Sequence, residues 1–256
     1  MLAVRSPAAS PTALRKPVPQ LENSDAAFVN PPEIIPFAAM SLRSRACPPC
    51  CRADIHRHMH SQIILASASQ ARASLLRGAG LSVSVQPARI DEEAIRAALG
   101  AELASPRDLA GTLAEMKAKK ISMRAPEALV LGADQVLALG KTVFSKPDTP
   151  QDAIAQLTAL SGRTHTLLSA LVVCQAGKPL WRHVGQVRLT MHPLLQSEIA
   201  DYVAQHWDSI RHAVGCYKLE EHGVRFFSAI EGDYFTVLGL PLIEFLTWLR
   251  ARGEFV

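Results

Sequence analysis

The chain has 256 residues, an apolar fraction of 48% and a formal charge of +4. That length holds one large domain or two small ones, and the apolar content can fill a sizeable core. The mild positive charge suits an anionic small molecule; there is no basic, aromatic-interleaved run for nucleic acid, and no stretch nears the ~18 continuous apolar residues of a membrane span.

Composition changes near residue 60. Nine of the 17 prolines and three of the five cysteines precede Met59. Pro31-Pro32 and Pro48-Pro49 break any regular element there, so residues 1–58 read as a largely disordered extension and 59–256 as the folded domain. Three readings of the extension compete. Its arginines and serines suit a targeting segment, against which stand Glu22, Asp25, Glu33 and Asp54 and the lack of a signal-peptide apolar core. A start at Met40 or Met59 would make it non-native. Cys47, Cys50 and Cys51 ahead of His56, His58 and His60 offer metal ligands, at a spacing that matches no standard zinc pattern. The dispensable or non-native reading is favoured. Cys174 and Cys216, in apolar surroundings, read as reduced core thiols of a cytosolic protein.

Residues 62–66 read as the first strand, followed by Ser67-Ala68-Ser69 and a helix through Arg72, Leu75 and Leu76 that stops near Gly78 and Gly80. A strand, a small polar loop and a helix N-terminus form a cradle for phosphate. Arg72 in the first turn opposes the helix dipole, so it is either a solvated arginine or one held near an anion. Val83 and Val85 mark a second strand. Asp91-Glu92-Glu93 reads as a solvated face or a helix start. A helix from Pro106 carries Leu109, Leu113, Met116 and Ile121 on one side, and Lys117 borders that stripe, where it either snorkels to water or reaches into a cleft.

Ala128 to Ala133 is a short apolar run that reads as a buried strand, with Asp134 directly after it. Reactive groups of parallel sheets gather at carboxyl ends of strands, which makes Asp134 the leading candidate for chemistry. Val136 to Leu139 continues as strand, Gly140-Lys141 as a hairpin turn and Val143-Phe144 as the return. Ser145 to Asp148 is a polar loop holding Lys146. Thr149, Pro150 and Asp152 open the next helix. Strands follow over 164–174 and 181–191, a helix around Glu198 to Gln205, a strand from Gly223 to Ile230, a turn at Glu231 to Tyr234, and a closing helix opened by Pro241.

The charged candidates are then Arg72, Glu92, Lys117, Asp134, Lys146 and Glu220. Three acids with three cations suit a metal-assisted reaction on a phosphate ester: carboxylates hold a hard divalent ion, cations neutralise phosphate oxygens, and an acid activates water.

Taken in order, Leu65 to Ser69 with Arg72, Asp91-Glu92, Leu113 to Ala118, Gly132 to Val136, Lys146-Pro147, Leu160 to His165, Tyr217 to Glu220 and Glu231 to Leu242 resemble the Maf-type nucleotide pyrophosphatases over roughly residues 62–252. The resemblance implies a Maf/ITPase-like α/β fold: a long twisted mixed sheet flanked by helices, with a cleft between two lobes, commonly as a cytoplasmic homodimer. It implies hydrolysis of a nucleoside triphosphate to monophosphate and pyrophosphate. By that analogy Asp134 activates water, Glu92 assists the metal, and Lys117 is catalytic and helps hold the phosphates. Asp134 and Glu92 hold Mg²⁺ or Mn²⁺, Ser67, Ser69, Arg72 and Lys146 hold phosphates, and Gln135 and Glu220 help choose the base. The opening loop departs from the family pattern. Gln70 and Ala71 stand where a proline and then an arginine (dTTP and UTP branch) or tryptophan (7-methyl-GTP branch) are usual. Ala71 fits neither branch, whereas Gln135 and Glu220 resemble the 7-methyl-GTP branch, so the expected substrate leans toward a modified purine. A non-catalytic nucleotide-binding regulator of cell division is the alternative.

Overall fold

A computed structural model describes residues 62–101 and 105–254; the expectations for residues 1–58 lie outside them. The described residues form an α/β fold on one seven-stranded mixed sheet of order β2-β1-β3-β5-β6-β7, with β4 paired to β3. The strands are β1 (Ile63–Leu65), β2 (Val83–Val85), β3 (Leu129–Leu139), β4 (Thr142–Phe144), β5 (Thr164–Gln175), β6 (Lys178–Met191) and β7 (Phe227–Glu231). The helices are α1 (Gln70–Gly78), α2 (Glu92–Ala101), α3 (Pro106–Ser122), α4 (Pro150–Leu160), α5 (Gln196–Ile210), α6 (Tyr234–Val237) and α7 (Leu242–Ala251).

Local chemistry accounts for the helix starts. Ser105 with Asp108 and Thr149 with Asp152 each form a reciprocal capping box, and each is followed by proline at the first helical position. Such a box satisfies two backbone donors that the first turn leaves unpaired.

β1 runs parallel to both β2 and β3, and its register on β3 ends with Leu65 opposite Leu131. β3 continues past that point without β1, held antiparallel by β5 as far as Ala138 opposite Thr166 and by β4 at Leu137 to Leu139. Asp134 is therefore in mid-strand, not at a strand end as the apolar run suggested. It stands beyond the carboxyl end of β1 because β1 is three residues long and β3 eleven, so the parallel part of the sheet stops short of it.

Alternation along β3 divides the core. Val136 packs with Leu109 and Leu113 of α3, and with Leu168 and Val172 of β5. On the other face, Leu131 and Ala133 join Leu76 of α1 and Phe245 and Leu249 of α7. Farther along that face, Leu137 joins Leu157 of α4 and Ile199 and Val203 of α5. Gly132 lets α3 lie directly on β3: a Cβ there would stand 2.0 Å from the Ala114 carbonyl oxygen and 2.6 Å from the Ala118 nitrogen.

Two local expectations are corrected. Residues His222–Phe226 form a 3₁₀ turn rather than the start of a strand. Gly223 presses on the backbone of Lys218, leaving no room for a Cβ. Met116 is exposed rather than part of the core stripe; the buried side of α3 runs through Leu109, Ala110, Leu113, Ala114, Lys117, Ala118 and Ile121.

Candidate active site

The face of β3 that packs on α3 carries Asp134, and α3 carries Lys117 between Ala114 and Ala118, the residues that touch Gly132. Close strand–helix approach brings the two side chains together. Lys117 Nζ donates to Asp134 Oδ1 at 2.6 Å, and both residues are buried. The same ammonium lies 2.8 Å from Glu92 Oε1, at the start of α2. Lys117 is thus turned inward rather than snorkelling out, and bridges two carboxylates far apart in sequence.

The second oxygen of Asp134 differs from the first. Oδ2 is buried and has no hydrogen-bond partner. The nearest cation to it is Arg96 of α2, with Nη2 at 3.9 Å, beyond hydrogen-bond range. Burial works to raise the Glu92 carboxyl, but the hydrogen bond from Lys117 and the charges of Lys117, Lys146 and Arg96 outweigh it and hold the group below its ordinary value. Lys146, exposed on the loop after β4, thereby belongs to the field of this cluster.

Arg72 is tied down rather than solvated. Its Nε donates to the Gly239 carbonyl at 2.8 Å, and Nη1 donates to Ser67 Oγ at 3.0 Å and to the Ala133 carbonyl at 3.1 Å. Burial pushes this guanidinium below its ordinary value, against the opposing pull of Asp134 and Glu92. Ser67 Oγ also accepts from the Ser69 amide, and Ser69 Oγ caps α1 by accepting from the Arg72 amide. The serine loop, the start of α1 and the backbone next to Asp134 are thus pinned by one arginine.

The candidate specificity residues lie apart from this cluster. Gln135 points to the opposite face of β3, where Nε2 donates to Ser169 Oγ at 3.0 Å and to the carbonyls of Thr236 (3.3 Å) and Val237 (2.9 Å). Glu220 is exposed in the turn between two 3₁₀ segments, and no hydrogen bond or ion pair among the described residues joins it to Asp134, Glu92 or Lys117. Ala71 is part-buried in the first turn of α1.

Arg96 was not singled out from the sequence. Its spacing of four residues from Glu92 is the signal that places both on one side of α2. The result is a charged cluster of two carboxylates, one of which keeps an unengaged buried oxygen, within the field of Lys117, Arg96, Arg72 and Lys146. Such a field attracts a polyanion, and a free carboxylate oxygen inside it can take a proton from water.

The chain matches the family model described as "Maf-like protein" over residues 62–252. It is 59% identical over 196 residues to a nucleoside triphosphate pyrophosphatase of Roseobacter denitrificans, a match covering 77% of this chain and 98% of that protein. It is 56% identical over 191 residues to one of Ruegeria pomeroyi, covering 75% and 96%. It is also 46% identical over 195 residues to a 7-methyl-GTP pyrophosphatase of Rhizobium etli, covering 76% and 98%.

Proposed function

The chain belongs to the Maf-like protein family, and from that premise we propose that it hydrolyses nucleoside triphosphates to the monophosphate and pyrophosphate. The observation that carries the mechanism is Asp134: one oxygen held by Lys117, the other buried and without a partner. Oδ2 takes the proton of the attacking water, and Lys117, fixed on Oδ1, sets the direction of the carboxylate. Glu92 holds Lys117 from the other side. The opening loop, with Ser67, Ser69 and Arg72, and the exposed Lys146 receive the phosphate chain, whose charge four neighbouring cations offset.

A divalent cation, Mg²⁺ or Mn²⁺, belongs to the same reading. Among the described residues no group of three or more His, Cys, Asp or Glu gathers as a dedicated metal cage. Two hard carboxylates fit an ion that takes its remaining ligands from phosphate and water. Asp134 and Glu92 would hold it, and when bound it supplies charge neutralisation at the phosphates. The base preference is read as leaning to a modified purine on the resemblance of Gln135 and Glu220 to the 7-methyl-GTP branch alone, since both side chains stand apart from the charged cluster. A homodimer and a cytoplasmic location complete the reading on the family resemblance alone; no described helix is long and apolar enough to cross a membrane.

The test is pyrophosphate release by the full chain with Mg²⁺ or Mn²⁺ over dTTP, UTP, CTP, GTP and 7-methyl-GTP. Monophosphate and pyrophosphate in equal amounts are expected, with 7-methyl-GTP favoured. Release of orthophosphate with a diphosphate, or nucleotide binding without turnover, would overturn the assignment; the latter result would favour a binding module.

A further inference from the structure

We propose that Arg96 binds the phosphate chain, its guanidinium donating through Nη1 to a phosphate oxygen beside Asp134. This rests on the nucleotide pyrophosphatase reading of the site. Ile95 and Leu99 pack α2 against the apolar cluster that α3 shares with β3 and β5. That register sets Glu92 and Arg96, one turn apart, over Lys117 and Asp134. A surface arginine four residues after a glutamate commonly pairs with it. Here Glu92 is turned to Lys117 at 2.8 Å instead, and Arg96 points at Asp134.

That approach is incomplete on both sides. Arg96 Nη2 stops 3.9 Å from Asp134 Oδ2, which leaves attraction between charges but no hydrogen bond. Arg96 Nη1 is buried with no acceptor, and Asp134 Oδ2 is buried with no donor. Leaving a charged donor and a charged acceptor buried and unmatched is costly. Two such atoms on side chains that approach to 3.9 Å mark a place for a third group. A phosphate oxygen satisfies the donor, and the planar fork of a guanidinium matches phosphate in a way that a lysine does not. Arg72, whose Nε and Nη1 are committed to protein acceptors, has less of its fork to offer, which leaves Arg96 as the arginine with a buried, unspent donor.

The test is calorimetric titration of the full-length protein with inorganic tripolyphosphate, which carries the phosphate chain and no base. Arg96→Gln is expected to weaken binding about tenfold or more, the loss typical of one charge-assisted hydrogen bond, with an unchanged melting temperature and unchanged affinity for the unphosphorylated nucleoside. Arg96→Lys, which keeps the charge but loses the fork, is expected to recover only part of that affinity. Wild-type tripolyphosphate affinity in Arg96→Gln would overturn the proposal. So would full recovery in Arg96→Lys, which would show a through-space charge effect, or a lowered melting temperature with nucleoside binding lost as well. Because the readout is binding, failure of turnover and failure of this contact are told apart: a chain that binds tripolyphosphate through Arg96 but releases no pyrophosphate contradicts the hydrolytic reading only.

Discussion

Gly132→Ala is expected to disable the site without touching a charged residue. The added Cβ would lie 2.0 Å from the Ala114 carbonyl oxygen and 2.6 Å from the Ala118 nitrogen, where ordinary van der Waals contact begins near 3.4 Å. Both obstacles are backbone, so no side-chain rotation relieves them, and α3 must retreat from β3 by more than an ångström. Lys117 sits on that same turn of α3. A retreat of that size opens the 2.6 Å contact between Lys117 and Asp134 beyond hydrogen-bond range. Overpacking of this kind costs about 1–3 kcal/mol of stability, and a displacement of about 1 Å in a catalytic group costs on the order of 10²-fold in rate. The assay pairs urea unfolding with steady-state pyrophosphate release. The expected result is a folded but destabilised protein whose kcat/KM has fallen on the order of 10²-fold. If kcat/KM stayed at wild type while stability fell, the link drawn from strand glycine to helix position to Lys117 would be refuted.

Lys117→Met removes the cation between two carboxylates and leaves Asp134 buried beside Glu92. Breaking a buried pair from one side costs about 3–5 kcal/mol, so both the urea midpoint and turnover should fall, and retention of either would contradict the bridge. His165 supplies a pH dependence elsewhere in the fold. It is buried against Tyr217, and burial pushes its imidazole down to about 4. Below about pH 6.5 the unfolded imidazole takes a proton that the folded one refuses until about pH 4, so stability falls as pH falls through that window and levels off beneath it. The loss is on the order of 3 kcal/mol. Unfolding titrations from pH 7 to pH 4 should show it in the wild type and show less of it in His165→Gln; equal losses would place the titration on another group.

Much of this architecture is legible before any coordinates because the decisive signals are local. Thr149, Pro150 and Asp152 announce the start of α4, and the apolar run before Asp134 announces a buried strand. Lys117 is legible as a residue on the border of an apolar stripe, and only the tertiary fold decides that it turns inward. Where sequence reasoning fails, the deciding contact is long-range. Asp134 falls in mid-strand because β5 pairs with β3 from Val130 to Ala138, a partner that no window around Asp134 contains. Residues 223–226 look like strand until the close approach of Gly223 to Lys218 is known. Arg96 looks like one more charge on a solvated helix until α2 is laid across α3. Arg72 looks solvated or ligand-bound until Gly239, 167 residues away, is found to accept from its Nε.

The most direct measurement compares Asp134→Asn with the wild type for pyrophosphate release on the preferred nucleotide, with circular dichroism and melting to establish the fold of each. The variant keeps the shape of the side chain and removes its capacity to take a proton. The account predicts a folded protein with turnover reduced at least 10²-fold, the lower range for loss of a positioned general base. A folded Asp134→Asn that releases pyrophosphate at the wild-type rate would contradict it.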